Sequence, residues 1–238
     1  MYYKKYHIES SEVDQNLDLK LSSLMRMMQD VATDHAETIG FGKKNTIDKG
    51  MYWVITRYAL TVLKYPKFLD DITIYTYPGD DMRFIFPRYF LVYNQNNELL
   101  IKASSSWMIL DRNTRKVVLK PFEGIVIPSE HHVDEEPLPR KVIPSPTSFI
   151  ESRKVRYSDI DLNGHLNNTK YIEYILDSKT TEFYKHNKIK HILISYEKEL
   201  LDGETIELYS NNSNPEYMVG TANNNVIFEI NIEYEEMK

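Results

Sequence analysis

Asp161-Leu162-Asn163-Gly164-His165 places an acid, an amide and an imidazole at every second residue. Chemistry that moves a proton and holds an oxyanion needs such groups close together. Asn167-Asn168 and an amphipathic run follow at once, so the cluster reads as a loop that opens a helix. Nothing else in the 238 residues concentrates as much reactive potential. Turn chemistry is the competing explanation, because Asp, Asn and Gly are favoured in turns on their own account. The downstream sequence has to decide between the two.

The absent residue type narrows the chemistry. There is no cysteine, which removes disulfides, thiolate metal sites and any Cys nucleophile. His131-His132 lies near Asp134-Glu135-Glu136, but in a proline-rich stretch with no second cluster at ligand spacing. No metal and no cofactor are therefore expected. A net charge of −6 argues against non-specific nucleic-acid binding, which needs a basic surface. Met1-Tyr2-Tyr3-Lys4-Lys5 leads into no apolar signal-peptide core, and no apolar run is long enough to span a bilayer. The expectation is a cytoplasmic protein with no membrane insertion.

Hydrophobic residues at 42% and charged residues at 27% allow a substantial core. Residues 20–40 read as a helix, with Leu21, Leu24, Met25, Met28, Ala32 and His35 on one face, Asp18 or Ser22 as its cap, and Gly40 and Gly42 as stops. A second helix is predicted over 168–186, with Asn167 or Asn168 as its N-cap. Strands are predicted over 51–63, 72–77, 84–93 and 99–110 in the first half, and over 191–201, 205–210, 216–221 and 226–234 in the second. Asn94 to Glu98, Asp202-Gly203 and Asn223 to Asn225 supply turns. Six of the ten prolines fall between Pro121 and Pro146, which marks a linker. The expected division is 1–125, a linker over 126–147, and 148–238.

Each half reads as strand, helix and several antiparallel strands, so the chain looks like a duplicated domain. Each copy is expected to be an α+β unit whose sheet wraps around its helix. Two such sheets can pair edge to edge, with ligand sites expected at their interface. Aligning the copies sets Ser22-Ser23 against Asn168-Thr169 and Asp71 against Gly203. It sets Gln15, Leu17 and Leu19 against Asp161, Asn163 and His165, and Thr61 against Glu199. On that register the first copy lacks the reactive set. The second copy would then react while the first shapes an apolar pocket.

Four segments, in order along nearly the whole chain, resemble the acyl-acyl carrier protein thioesterases of the bacterial type. They are Gly50 to Arg57; Ala103 to Met108 with Thr114 to Lys116; Ser158 to Asn168 with Tyr171-Ile172; and Tyr196-Glu197-Lys198-Glu199. The resemblance implies a tandem (double) hotdog fold, two antiparallel sheets each wrapped around a long helix. It implies a hydrolase that releases free fatty acid from acyl carrier protein, a partner bearing a phosphopantetheine-linked acyl chain. Asp161, Asn163, His165 and Glu199 become the candidate catalytic residues. Glu199 would position and deprotonate water, and His165 would act at the thioester and its leaving sulfur. Asn163 would fix water or the carbonyl, and Asp161 would orient Asn163 or His165. N–H groups near Leu166 to Asn168 are candidate oxyanion donors. Asn167, Asn168, Leu24, Met25, Met28 and Trp53 are candidate substrate contacts, although Asn167 and Asn168 serve equally as caps and the Leu24–Met28 stripe is first of all core.

Plant members place a Cys after the catalytic Glu, where this chain has Leu200, so activated water replaces a thiol nucleophile. Arg112, Arg115 and Lys116, or Arg153, Lys154 and Arg156, are alternative docking patches for an acidic carrier. Two other functions fit the same scaffold: an acyl-CoA thioesterase, or a non-catalytic acyl-thioester sensor. The oligomeric state is open between monomer and homodimer.

Overall fold

In the computed structural model the described residues are 1–119, 122 and 127–237, and they form two units, Met1–Pro139 and Arg140–Lys238. The boundary expected at 125–126 lies outside the described residues.

Unit 1 contains β1 (Tyr2–His7), α1 (Leu21–Thr38), β2 (Met51–Val62), β3 (Asp71–Pro78), β4 (Phe86–Asn94) and β5 (Leu99–Asp111). Its strands are antiparallel in the order β1-β3-β4-β5-β2. The predicted helix is present, and its apolar face is the core. Leu24, Met28 and Val31 are fully buried, and Met25 nearly so. Each such side chain contributes about 1.5–3 kcal/mol by leaving water. Tyr58 on β2 donates its hydroxyl to Met28 Sδ at 2.8 Å and stacks on Phe90 of β4. Neither Asp18 nor Ser22 caps α1. Lys20 occupies the N-cap with no side-chain bond, and Ser22 lies buried inside the first turn. Gly40 follows the helix at φ +82°, a conformation suited to glycine.

Unit 2 contains β6 (Ser148–Lys154), α2 (Asn168–Leu176), α3 (Thr181–His186), β7 (Asn187–Tyr196), β8 (Thr205–Ser210), β9 (Glu216–Ala222) and β10 (Asn225–Glu236). Its antiparallel order, β6-β8-β9-β10-β7, repeats that of unit 1 element for element. Tyr171 of α2 packs edge-on against Tyr196 and Phe228 of the sheet.

The single long helix expected here is broken in two. Asp177, Ser178 and Thr180 offer short polar side chains that compete for the helix backbone. The Ser178 hydroxyl donates to the Ile175 carbonyl at 2.6 Å, and Thr180 caps α3 by accepting the Phe183 N–H. Strand β7 also differs from expectation, starting earlier and ending at Tyr196. The N–H groups of Glu197 and Lys198 both donate to the Ile227 carbonyl, which turns the chain off the ladder. Glu199 therefore sits in the loop after the strand, not on it. Among the described residues no helix is long and apolar enough to cross a membrane.

Candidate active site

Asp161 builds the candidate loop. Its Oδ1 accepts the Asn163 N–H at 2.8 Å and the His165 N–H at 3.2 Å. Its own N–H donates to the His165 carbonyl at 2.8 Å, and its carbonyl accepts the Gly164 N–H. Gly164 completes the turn at φ +84°, where L side chains are strained. Asn163 Nδ2 reaches Asp161 Oδ2 at 3.5 Å. His165 is 9% exposed and brings Nδ1 to 3.4 Å from Glu199 Oε1. The Leu166 N–H clamps this loop to the Glu199 segment by donating to the Leu200 carbonyl at 2.8 Å. Burial, reinforced by the negative charges of Glu199, Tyr174 and Asp161, pushes the Tyr171 phenol up.

Asp161, Asn163, His165 and Glu199 are thus gathered at the start of α2. Asn167 is the N-cap, accepting the Thr169 N–H and hydroxyl, both at 2.9 Å. Two of the proposed oxyanion donors are already committed: the Leu166 N–H to Leu200 and the Asn167 N–H to the Asp159 carbonyl. Asn168 opens the helix, and its carbonyl accepts the Tyr196 hydroxyl at 3.4 Å.

Unit 1 contains the same loop. Asp14 Oδ1 accepts the Asn16 and Asp18 N–H groups at 2.8 and 3.0 Å. Leu17 adopts φ +60° where unit 2 has Gly164. The Leu19 N–H donates to Pro66, as Leu166 does to Leu200. The N–H groups of Leu63 and Lys64 share the Leu100 carbonyl, as Glu197 and Lys198 share Ile227. These bonds fix the register between the copies. Asp14, Asn16 and Asp18 stand for Asp161, Asn163 and His165, and Tyr65 stands for Glu199. The sequence alignment was one residue out in the loop, and it set Thr61 where Tyr65 belongs. The first copy keeps the Asp and the Asn and lacks only the imidazole and the glutamate. Asp18, in the place of His165, is buried and pairs with Lys67, and Tyr65 takes the place of Glu199. The repeated Asp-x-Asn, Asp14-Gln15-Asn16 and Asp161-Leu162-Asn163, is the signal in the sequence that gives this register.

Unit 1 also holds a small apolar pocket, open to solvent on one side, with a cavity volume of about 80 Å³. Its walls include Ala32, Ala36, Trp53, Phe86 and Trp107. Trp53 donates its indole N–H to the Phe41 carbonyl and packs edge-on against Phe86. Leu24, Met25 and Met28 lie in the buried core, and the pocket's helical wall begins at Gln29. Sequence reasoning missed Arg88. Burial lowers its pKa to about 10, and Nη1 donates to His35 Nδ1 and Thr76 Oγ1, each at 3.2 Å.

Among the described residues no group of three or more His, Asp or Glu is arranged to hold a metal. Of the basic clusters, Arg115 is tied to the Tyr52 hydroxyl, and Arg153 to Asp177 and Glu151.

The N-terminal domain model of acyl-ACP thioesterases matches residues 1–123, and the C-terminal domain model matches residues 144–236. The oleoyl-acyl carrier protein thioesterase 2 of Arabidopsis thaliana is 24% identical over 92% of the chain, and the palmitoyl-acyl carrier protein thioesterase of the same plant is 28% identical over 84%. The chain spans 65% and 52% of the lengths of those two relatives. A crystal structure of an acyl-ACP thioesterase from Bacteroides thetaiotaomicron superposes with a TM-score of 0.84 at 26% identity, over 98% of this chain and 97% of that one. The 12:0-ACP thioesterase from Umbellularia californica shares the fold, with a TM-score of 0.85 at 20% identity over 99% and 97% of the two chains. The fold is the double hotdog, and with both domain models covering almost its full length, the chain belongs to the acyl-ACP thioesterase family.

Proposed function

We propose that the chain hydrolyses the thioester of acyl-acyl carrier protein, releasing free fatty acid and the carrier thiol. The observation that carries this reading is the His165–Glu199 pair, joined at 3.4 Å beside a helix start, on a loop whose twin in unit 1 has neither residue. Family membership supports it as well.

A water molecule attacks the thioester carbonyl, and Glu199 takes its proton. The carbonyl oxygen becomes an oxyanion, for which the Asn163 amide and the Asn168 N–H are the candidate donors. The intermediate then collapses and the C–S bond breaks. The proton passes through His165 to the leaving sulfur, yielding a carboxylic acid and a thiol. Glu199 also fixes the imidazole orientation, while Asp161 holds both Asn163 and His165 through their backbone. The apolar pocket of unit 1 is the candidate site for the acyl chain.

The test is thiol release from matched acyl-carrier-protein and acyl-CoA substrates. A higher kcat/KM on the protein carrier is expected. Preference for CoA would replace the carrier, and no thiol release from either would overturn the hydrolase reading.

A further inference from the structure

The twin loops provide an internal control for surface as well as for chemistry. Their backbones share the same hydrogen bonds, so differences between exposed residues at equivalent positions are not demanded by the fold. Glu9 in unit 1 corresponds to Arg156, Ser10 to Tyr157 and Gln15 to Leu162, and all six are exposed. Tyr157 is 89% exposed and Leu162 79%. Only the copy with His165 and Glu199 carries this basic and aromatic surface. Unit 1 does expose Leu17, so apolar exposure alone does not separate the copies. The reversal of charge and the added aromatic do.

The charges around this segment sharpen the contrast. Lys154 and Arg156 are exposed. Asp159 turns inward, accepting the Arg156 N–H at 3.0 Å and the Tyr174 hydroxyl at 2.8 Å, with Lys170 at 3.8 Å. Asp161 is occupied with the loop backbone. Arg153 is neutralised by Asp177 and Glu151. Lys154 and Arg156 therefore present positive charge outward, with exposed Asp202 on the turn bonded to Val155, on a chain whose net charge is −6. The corresponding stretch of unit 1 presents Glu9, with His7 paired to Asp71.

We propose that Lys154, Arg156 and Tyr157, with Leu162, form the docking face for an acidic protein that delivers the thioester. Local positive charge steers an acidic surface over about a Debye length, roughly 8–10 Å at physiological salt. An exposed tyrosine beside arginine has the composition of an interface anchor. Overall negative charge disfavours nucleic acid as the occupant. The delivered thioester rests on the proposed function, whereas the docking face is measurable without turnover.

The experiment compares wild type with Lys154→Glu/Arg156→Glu and with Tyr157→Ala. Each is assayed on acyl-acyl carrier protein and on an acyl-N-acetylcysteamine thioester, which lacks a protein surface. The charge reversal is expected to raise KM for the protein substrate about tenfold with little change in kcat, and to remove the salt dependence of KM. Tyr157→Ala should raise the same KM without altering the salt dependence. Kinetics on the small thioester should stay at wild-type values. Unchanged KM for the protein substrate, or an equal change on both substrates, overturns the proposal. If wild type cleaves neither substrate, the functional reading fails on its own. Fluorescence anisotropy with unacylated carrier protein then decides the docking face, which requires about tenfold weaker binding by the charge-reversed variant.

Discussion

Asp14 and Asp161 do the same work in the two halves of the chain. Each carboxylate accepts two backbone N–H groups from its own loop, at 2.8 and 3.0 Å in one and at 2.8 and 3.2 Å in the other. The Asp-x-Asn turn is thus an architectural device of the fold. What distinguishes the second loop is the His165–Glu199 pair mounted on it.

Removing either carboxylate should cost similar stability and unequal activity. Asp14→Ala and Asp161→Ala each orphan two backbone donors, for an expected loss of about 1–3 kcal/mol in urea unfolding. Only Asp161→Ala should also lower kcat of the folded enzyme. A matching fall in kcat from Asp14→Ala would remove the distinction between the loops.

His165→Ala and Glu199→Ala should each slow single-turnover hydrolysis by roughly 10²-fold or more, the usual scale for general acid–base groups. Circular dichroism should show both variants folded. His165→Asp, which installs the unit 1 residue, should be as inactive as His165→Ala. Wild-type rates in folded Glu199→Ala would remove that residue from the chemistry.

The acid limb of stability should be set in part by His35, which is 6% exposed. Burial first, and the neighbouring Arg88 charge second, lower its pKa to about 4. An unfolded imidazole titrates near 6.5. Above that pH His35 is neutral in both states and contributes no pH dependence. Between about 6.5 and 4 the unfolded chain binds a proton that the folded chain refuses, so stability falls as pH falls, by up to about 3 kcal/mol. Urea unfolding from pH 7.5 to 4.5 should show a shallower decline in His35→Gln. Identical slopes in both proteins would refute the assignment.

Ala32 and Ala36 line the apolar pocket of unit 1. Ala36→Leu should lower kcat/KM for the longest acyl chains about tenfold or more while sparing short ones, since each methylene of misfit costs about 1–3 kcal/mol. A uniform fall across chain lengths would place the acyl chain elsewhere.

The sequence alone determined the candidate loop, a cap at Asn167 or Asn168, helix α1, eight of the ten strands (β1 and β6 being given no range) and the duplication. These are local properties: side-chain period, turn residues and capping preference act over a few residues. Tertiary structure decided three things that local pattern does not reach. It broke the second helix, because Ser178 and Thr180 found backbone partners that a helical wheel does not reveal. It moved Glu199 off strand β7, because the Ile227 carbonyl takes two successive N–H groups. It also set the register between the copies, identifying Asp18 and Tyr65 as the counterparts of His165 and Glu199. Loop lengths between elements differ in the two halves, so counting along the chain misaligns them. Hydrogen bonds across the fold are indifferent to those lengths, and they paired the residues.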